Sequence, residues 1–295
     1  MKKMLSVLGL MMMVAVCHAD VLMVEDFDYP LGDKITSHGW YTQYGGESSI
    51  GVTNGLSVRN YAQSGIGNAA LIDCLTSNTQ PHKAFAEVRE GDVYVAFMLL
   101  PALNSKDGYF FALRDSVSET SFNYSARVFV SAKNQIGLCV GKGSTKVYST
   151  EVMDASTTYL VVVKYSIVSG SNNDAVSVYL LTDALAEEPD EPTVGPVQDS
   201  AIDDIYPRNI VLRGYDANSW LVVDGIRVAT TWQEAVLRKS AAAVDRPVQE
   251  DAEQDAWLYN CLGTCIGRYS EALLQAQVRG VYIIKSGNSS RKVLR

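Results

Sequence analysis

The sequence predicts an all-β protein, an antiparallel β-sandwich followed by a small C-terminal β-module. Apolar runs of strand length recur along the chain, and clusters of Ser, Gly, Asn and Asp separate them. Helical periodicity is nearly absent. Many short strands joined by turn-forming residues are typical of sandwiches whose strands pair antiparallel.

The predicted strands follow one another through the first 230 residues. Residues 93–100 (VYVAFMLL) form a continuous apolar run, which suits the interior of a sheet. Further runs of strand length lie at residues 126–130, 159–168, 176–182, 210–214 and 221–228. Residues 232–244 are long enough for a helix, although their first part is equally compatible with a terminal strand.

Residues 1–19 have the features of a secretory signal peptide. Two lysines precede residues 4–16, an apolar stretch too short to span a bilayer as an anchor. Residues 17–19 supply small side chains at the positions that a signal peptidase recognises, so we expect cleavage between Ala19 and Asp20. No later segment is long and apolar enough for a transmembrane helix, and the sequence therefore predicts an exported chain without one.

The start of the chain leaves a lipoprotein as one alternative to plain export. Cys17 would suit a lipoprotein, but Val16 before it is bulkier than a lipobox favours, so we expect plain export.

Loss of Lys2 and Lys3 on cleavage lowers the formal net charge from −8 to −10. This acidity argues against nucleic acid or an anionic membrane surface as the main partner.

Four cysteines remain after the predicted cleavage. Exported chains can keep disulfides, so a bond between Cys74 and Cys139 within one domain stays open. Cys261 and Cys265 flank a predicted hairpin turn, where side-chain directions often do not suit a bridge. No second pair of ligands accompanies them, so the sequence predicts no zinc site.

The segment 183–204 is strongly acidic. It contains eight acidic residues and three prolines, without a basic residue. A calcium loop is one interpretation, because Ca²⁺ takes several carboxylate and carbonyl oxygens. The spacing matches no calcium motif and the prolines favour an extended connection, so we expect a solvated loop and no cofactor.

A domain boundary follows the sandwich. Residues 237–255 are rich in Ala and acidic residues and predict a linker. The remaining residues, 256–295, contain two runs around a turn at Gly263 and then a closing hairpin. A module of this size is near the limit at which a hydrophobic core alone is stable.

Residues 20–236 resemble a known domain through several short stretches taken in order. These are residues 25–32 (EDFDYPLG), Gly39-Trp40, and residues 65–70, 159–165 and 221–230. The set is similar to the N-terminal domain of secreted Bacteroides-type proteins with a concanavalin A-like or laminin-G-like jelly roll. The resemblance implies that Trp40 is a core residue, and Trp232, which ends the sandwich, is expected in the core as well.

The C-terminal residues 256–295 resemble the sorting domain of the type IX (Por) secretion system. The resemblance lies in residues 257–260, the turn at Gly263, and two closing motifs. Those motifs comprise Gly280, Val281, Tyr282, Ile283, Arg291, Lys292 and Val293. It implies a small β-sandwich that is recognised by the outer-membrane type IX machinery as the protein is secreted or attached to the cell surface.

The closing hairpin also has a purely physical interpretation. Alternate side chains face opposite sides, so Tyr282 and Ile284 share one face. Basic residues on the last strand keep an edge solvated and discourage stray pairing. We favour the export signal over a merely solvated edge.

No motif for catalysis is present in the sequence. Jelly-roll glucanases carry a Glu-x-Asp-x-x-Glu strand that no stretch here matches. Asp26 and Asp28 would share one strand face, but the family resemblance implies that their segment is the structural first strand. His38 and His82 lie beside no nucleophile motif, so a hydrolase triad has no support. We therefore expect a protein that is not an enzyme.

Carbohydrate recognition requires less than catalysis. Exposed aromatic faces stack on sugar C–H surfaces, and neighbouring polar groups supply hydrogen bonds. The candidates are Trp220, Tyr215, Tyr44 and Tyr61, and Trp220 is the preferred one because it precedes an apolar strand in a polar turn. The alternative for Trp220 is an aromatic residue at the sandwich edge that only covers the end of a strand. We expect glycan or surface recognition, with a structural or adhesive surface component, or less favoured a glycoside hydrolase, as alternatives.

Overall fold

The fold is known from a computed structural model of the chain. It describes residues 21–42, 48–74, 80–103, 105–115, 123–215, 219–237, 256–260, 264–269, 273, 281–286 and 289–294. The chain divides into two compact units, residues 1–239 and 240–295. Among the described residues, no helix has the length and apolar character needed to cross a membrane.

The first unit is built from β-strands that pair antiparallel. In chain order they are β1 (Val21–Glu25), β2 (Gly51–Thr53), β3 (Ala69–Asp73), β4 (His82–Ala84), β5 (Gly91–Leu100), β6 (Gly108–Arg114), β7 (Tyr124–Val130), β8 (Ile136–Cys139), β9 (Val147–Tyr148), β10 (Tyr159–Ile167), β11 (Ala175–Leu181), β12 (Val194–Val197), β13 (Asn209–Leu212) and β14 (Trp220–Ala229). One short helix follows, α1 (Trp232–Val236).

The strands form two sheets. The larger sheet has the order β12-β11-β10-β5-β14-β3-β2, with β1 also paired to β14. The smaller sheet has the order β4-β13-β6-β7-β8-β9. The sheets face each other, because Phe97 of β5 lies 5.0 Å from Phe111 of β6 between ring centroids, within one buried cluster. The predicted antiparallel all-β sandwich is confirmed.

Strand β5 shows why the sequence has a continuous apolar run. Val95 and Phe97 face the core between the sheets, while Ala96 and Met98 belong to a second buried cluster on the outer face of the larger sheet. A strand buried on both faces loses the alternation of polar and apolar residues. All six predicted strands correspond to observed ones, and residues 232–236 form the helix rather than a strand.

The second cluster is the cover of the larger sheet's outer face. Residues 54–68, the start of the acidic segment and helix α1 contribute Val58, Tyr61, Ala184 and Trp232 to it. Thr231 caps the helix by accepting from the backbone N–H of Glu234 at 3.3 Å. The cover leaves part of this face open, which creates the candidate site.

The second unit contains one four-stranded sheet. Its strands are β15 (Ala256–Asn260), β16 (Cys265–Arg268), β17 (Val281–Ser286) and β18 (Ser289–Leu294), in the order β16-β15-β17-β18. Leu258, Tyr282 and Ile284 form its buried cluster. Tyr282 and Ile284 therefore share the buried face, as their spacing predicts, and β17 pairs antiparallel with β18.

Candidate functional site

The candidate site is a groove on the outer face of the larger sheet. Its floor consists of apolar side chains from three adjacent strands, Leu71 of β3, Val222 of β14 and Leu100 of β5. The groove has a volume of about 870 Å³. Its position follows from strand alternation, since Leu221 and Val223 point into the core and Val222 therefore points outward.

Trp220 lies at one end of this floor. It is the first residue of β14 and its side chain is 44% exposed. Its cross-strand partner is Asp73, which also lines the groove. The placement brings an indole surface and a carboxylate to one wall, as expected for a site that stacks on a ring and accepts hydrogen bonds from hydroxyl groups.

Further polar groups also line the groove. Lys34, Ser49 and Asn54 come from the connections beside β2. Lys34 is held in place because its Nζ donates to the carbonyl of Ser49 at 3.1 Å. The groove therefore combines an apolar floor, one exposed aromatic ring and polar groups of both charge signs.

A buried carboxylate fixes the groove wall. Leu56 lines the groove, and its backbone N–H donates to Oδ2 of Asp224 at 2.6 Å. Asp224 is fully buried, and burial together with nearby Asp26 and Glu25 raises its pKa to about 7. The segment that contains Leu56 is thereby tied to strand β14.

Tyr61 corrects one of the predictions. We predicted an exposed platform, but Tyr61 is 1% exposed, and its hydroxyl donates to the carbonyl of Gly225 at 2.6 Å. Gly225 has φ 57° at an irregularity of β14, and this carbonyl needs a partner that the regular ladder does not supply. Tyr61 therefore fills the cover of the sheet, and desolvation raises its pKa well above the ordinary value.

Tyr215 is also incorrectly predicted as a platform. It is 3% exposed, and its ring lies against the backbone of Gly108, where an added Cβ would be 1.9 Å from a ring carbon. The missing side chain at Gly108 makes the space that the ring occupies. Burial raises the pKa of Tyr215 well above its ordinary range. Of the predicted sugar-binding aromatics, Trp220 alone is exposed among the described residues, and Tyr44 lies outside them.

The first acidic stretch is a structural anchor. Glu25 is buried, and its carboxylate accepts from the indole Nε1 of Trp40 at 3.1 Å and from the backbone N–H of Phe27 at 2.8 Å. Lys83 of β4 also donates to it, which links the first strand to the smaller sheet. Trp40 and Trp232 are 1% and 2% exposed, in agreement with their prediction as core residues.

The acidic segment is only partly the solvated loop that its composition predicts. Glu188 turns inward and accepts from the hydroxyl groups of Tyr94, at 2.6 Å, and of Tyr179. Lys164 donates to the same carboxylate at 2.9 Å. These bonds hold the connection between β11 and β12 on the sheet. Among the described residues, no group of three or more His, Cys, Asp or Glu side chains is placed to hold a metal ion.

The cysteines do not form the disulfide that was left open. Cys74 and Cys139 are both buried free thiols, one at the end of β3 in the larger sheet and one in β8 of the smaller sheet. Desolvation raises the pKa of Cys74 to about 11 and raises that of Cys139 as well. Cys265 is an exposed free thiol, while Cys261 lies outside the described residues.

Several predicted residues cannot be placed in the structure. The cleavage residues Ala19 and Asp20 and the sorting residue Gly280 lie outside the described residues, as does most of the predicted linker. Val281 to Ile283 and Arg291 to Val293 lie in the paired strands β17 and β18.

Sequence reasoning missed the polar side of the groove. Lys34, Asn54 and Asp73 carry no motif, and the nearest of them is 147 positions from Trp220 in sequence. The register of β14 against β3 brings Asp73 opposite Trp220. No local pattern reports such a pairing.

Comparison with known proteins identifies no family. No family model matches the chain, and no curated protein matches it. Solved structures that the chain partly resembles include the globular domain of Trypanosoma cruzi calreticulin. It has 12% identity, with 71% of this chain and 87% of that chain covered, and a TM-score of 0.41. An endo-1,3-β-glucanase from Streptomyces sioyaensis has 10% identity, with 73% of this chain and 98% of that chain covered, and a TM-score of 0.44.

A third similar structure is a carbohydrate esterase from the Shiga toxin-encoding bacteriophage phi24B. It shares 12% identity, with 72% of this chain and 100% of that chain covered, at a TM-score of 0.42. Similarity this low carries no function over to this chain.

Proposed function

We propose that this chain is a secreted or cell-surface protein without catalytic activity that recognises carbohydrate in the groove at Trp220. The observation that carries the proposal is the 44% exposed indole of Trp220 beside Asp73, above an apolar floor. Saccharides present apolar C–H faces and hydroxyl edges together, so a site of this composition complements both.

The carboxylates of the groove support a binding role over hydrolysis. Most glycosidases place two carboxyl groups about 5–9.5 Å apart across the scissile bond. Asp73 is the single carboxylate among the described residues that line this groove. Asp224 is fully buried beneath Leu56 and takes no part in the lining.

The test is a glycan array with the mature chain, residues 20–295, and three variants. We expect saturable binding by the native chain, retained in part by Trp220→Phe and weakened about tenfold or more by Trp220→Ala, because the stacking surface is lost. Trp257→Ala is the matched control, since Trp257 is also 44% exposed but lies in the second unit.

Two outcomes would contradict carbohydrate recognition. One is absence of binding to any plant, host or microbial glycan, which would favour a structural or adhesive surface component. The other is binding that Trp220→Ala and Trp257→Ala weaken equally. Turnover of a polysaccharide that is abolished by Asp73→Asn would contradict the non-catalytic part of the proposal.

We further propose that the second unit is the export signal, read by the outer-membrane type IX secretion machinery. The proposal is supported by the resemblance of residues 256–295 to that sorting domain. It is also supported by the antiparallel pairing of β17 with β18, which gives this segment a defined recognition surface.

A further inference from the structure

The outer face of the smaller sheet carries cations stacked on aromatic rings. The guanidinium groups of Arg213 and Arg127 lie 4.3 Å and 5.0 Å from the ring centroid of Tyr109. Nζ of Lys146 lies 4.9 Å from the ring centroid of Phe129. Tyr109 and Phe129 are cross-strand partners in β6 and β7, so the two groups of contacts are continuous.

These side chains line an open pocket on the sheet surface. The three cations and both rings line a cavity of about 300 Å³, which we call the basic-aromatic pocket. Gly137 of β8 lets the ring of Tyr148 lie close over the strand at one side, since an added Cβ would be 2.3 Å from a ring carbon. Tyr148 in turn packs on Phe129, with 6.4 Å between ring centroids.

The charge of the pocket is positive although the chain is acidic. Asp107 is the only carboxylate among its described lining residues, against the charges of Arg127, Lys146 and Arg213. Both oxygens of Asp107 are engaged, one by the backbone N–H of Ala132 and one by the hydroxyl of Tyr148, each at 2.9 Å. The bond from Ala132, the bond from Tyr148 and the charge of Lys146 lower the pKa of Asp107, so it stays ionised and serves the scaffold.

The three cations form no direct ion pair in the described part of the chain, although Asp107 attracts Lys146 over a longer distance. No carboxylate oxygen there lies within the 4.0 Å of an ion pair from any of them. Arg127 donates from Nε to the carbonyl of Tyr124 and Arg213 from Nη1 to the carbonyl of Tyr109, both at 3.3 Å. These bonds orient each guanidinium group and occupy one donor on each, while Nε of Arg213 is buried without a described acceptor.

We propose that the basic-aromatic pocket binds an oxyanion, the carboxylate or sulfate group of a small acidic ligand. Guanidinium groups recognise such planar or tetrahedral oxyanions through paired N–H donors. Stacking on Tyr109 and Phe129 orients the cations around the pocket, which prepares them for an anion. This site is distinct from the groove at Trp220, which lies on the larger sheet.

Arg89 provides a matched control for the charge. Its guanidinium group lies 4.9 Å from the ring centroid of Tyr206, much as Arg213 lies on Tyr109. Arg89 differs because Glu87 pairs with it at 2.6 Å. An arginine thus stacks on a tyrosine at both places. Arg89 has a carboxylate within ion-pair distance, whereas Arg213 in the pocket has none among the described residues.

The experiment measures binding of sodium sulfate and of glucuronate to the mature chain in low salt, by calorimetry or NMR titration, with glucose as the neutral probe. We expect both anions to bind saturably and to compete with each other. Arg213→Gln and Lys146→Gln are each expected to weaken binding about tenfold, and added sodium chloride to weaken it further. Lys146 is exposed, so its substitution tests the site without disturbing the core.

Arg89→Gln should leave the affinity unchanged. The proposal would be overturned by the absence of saturable anion binding, by an equal response to glucose, or by equal losses in Arg89→Gln and the two pocket variants. Trp220→Ala should also leave anion binding unchanged, so failure of this proposal and failure of carbohydrate recognition in the groove are distinguishable.

Discussion

Asp224 is a fully buried carboxylate whose two oxygens have different surroundings. Oδ2 accepts from the backbone N–H of Leu56 at 2.6 Å, while Oδ1 is buried without a partner among the described residues. Burial is the main cause of its pKa of about 7, and the negative charges of Asp26 and Glu25 add to it. Protonation would remove this unfavourable charge.

The pKa of Asp224 predicts how stability changes with pH. The native state binds this proton more tightly than the unfolded chain, where the pKa is near 3.8. The contribution of this group to the free energy of unfolding is therefore complete below about pH 4 and is lost as pH rises through about 7. Asp224→Asn should flatten that slope in urea denaturation measured from pH 4 to 8, without lowering stability at pH 8.

Asp154→Asn is the control for this prediction. Asp154 is exposed, and hydrogen bonds from Ser156 lower its pKa, so its own contribution is lost only below its ordinary pKa of 3.8. The Asp154→Asn substitution should therefore leave the pH dependence of the free energy of unfolding unchanged between pH 4 and 7. An unchanged slope in Asp224→Asn would contradict the assignment of this carboxylate.

At the scale of elements, the bend before β3 depends on close backbone contact. Gly65 and Gly67 both have positive φ, 67° and 65°. An added Cβ at Gly65 would meet nothing within 4 Å, whereas at Gly67 it would lie 2.2 Å from the carbonyl oxygen of Asp26. The same carbonyl accepts from the backbone N–H of Asn68 at 3.0 Å, so the two segments are bonded as well as packed.

This difference predicts unequal effects of two alanine substitutions. Gly65→Ala should lower the free energy of unfolding by about 1–2 kcal/mol, the cost of a left-handed conformation. Gly67→Ala has the same cost and also forces Asp26 away, which adds about 1–3 kcal/mol. Urea denaturation of both variants at one pH checks the order, and equal losses would show that the contact with Asp26 relaxes freely.

At the scale of the whole molecule, the two units have different proposed roles. The first unit presents the groove and the basic-aromatic pocket on the outer faces of its two sheets. The second unit is a four-stranded sheet with a buried cluster of three residues. Its proposed role is to be recognised during export.

The export proposal predicts the fate of a truncated chain. Deletion of residues 280–295 removes β17 and β18, and thus half of the strands in that sheet. We expect the truncated protein to accumulate in the periplasm, measured by cell fractionation and by intact mass of the protein recovered outside the cell. Trp220→Ala, which alters only the first unit, should be exported normally, and normal export of the truncated chain would refute the proposal.

The sequence by itself determined the fold class and six of the strands, but not β6, which has seven residues. Residues 93–100, 159–168 and 221–228 were predictable because strand alternation and double-sided burial are local properties of a chain. The short strands β2, β4 and β9 were not predicted, since two or three residues carry no measurable period. Their pairing depends on neighbours that the fold supplies.

Only the tertiary structure decided which aromatic residues face solvent and which polar groups meet them. Trp220, Tyr61 and Tyr215 all lie in polar turn sequences, yet the cover of the larger sheet buries Tyr61 and the backbone of Gly108 receives Tyr215. The basic-aromatic pocket likewise joins β6 and β7 to Arg213, which follows β13 and lies 86 positions after Arg127 in the sequence. Whether a side chain is exposed or paired depends on contacts between packed sheets, and the local sequence pattern does not determine those contacts.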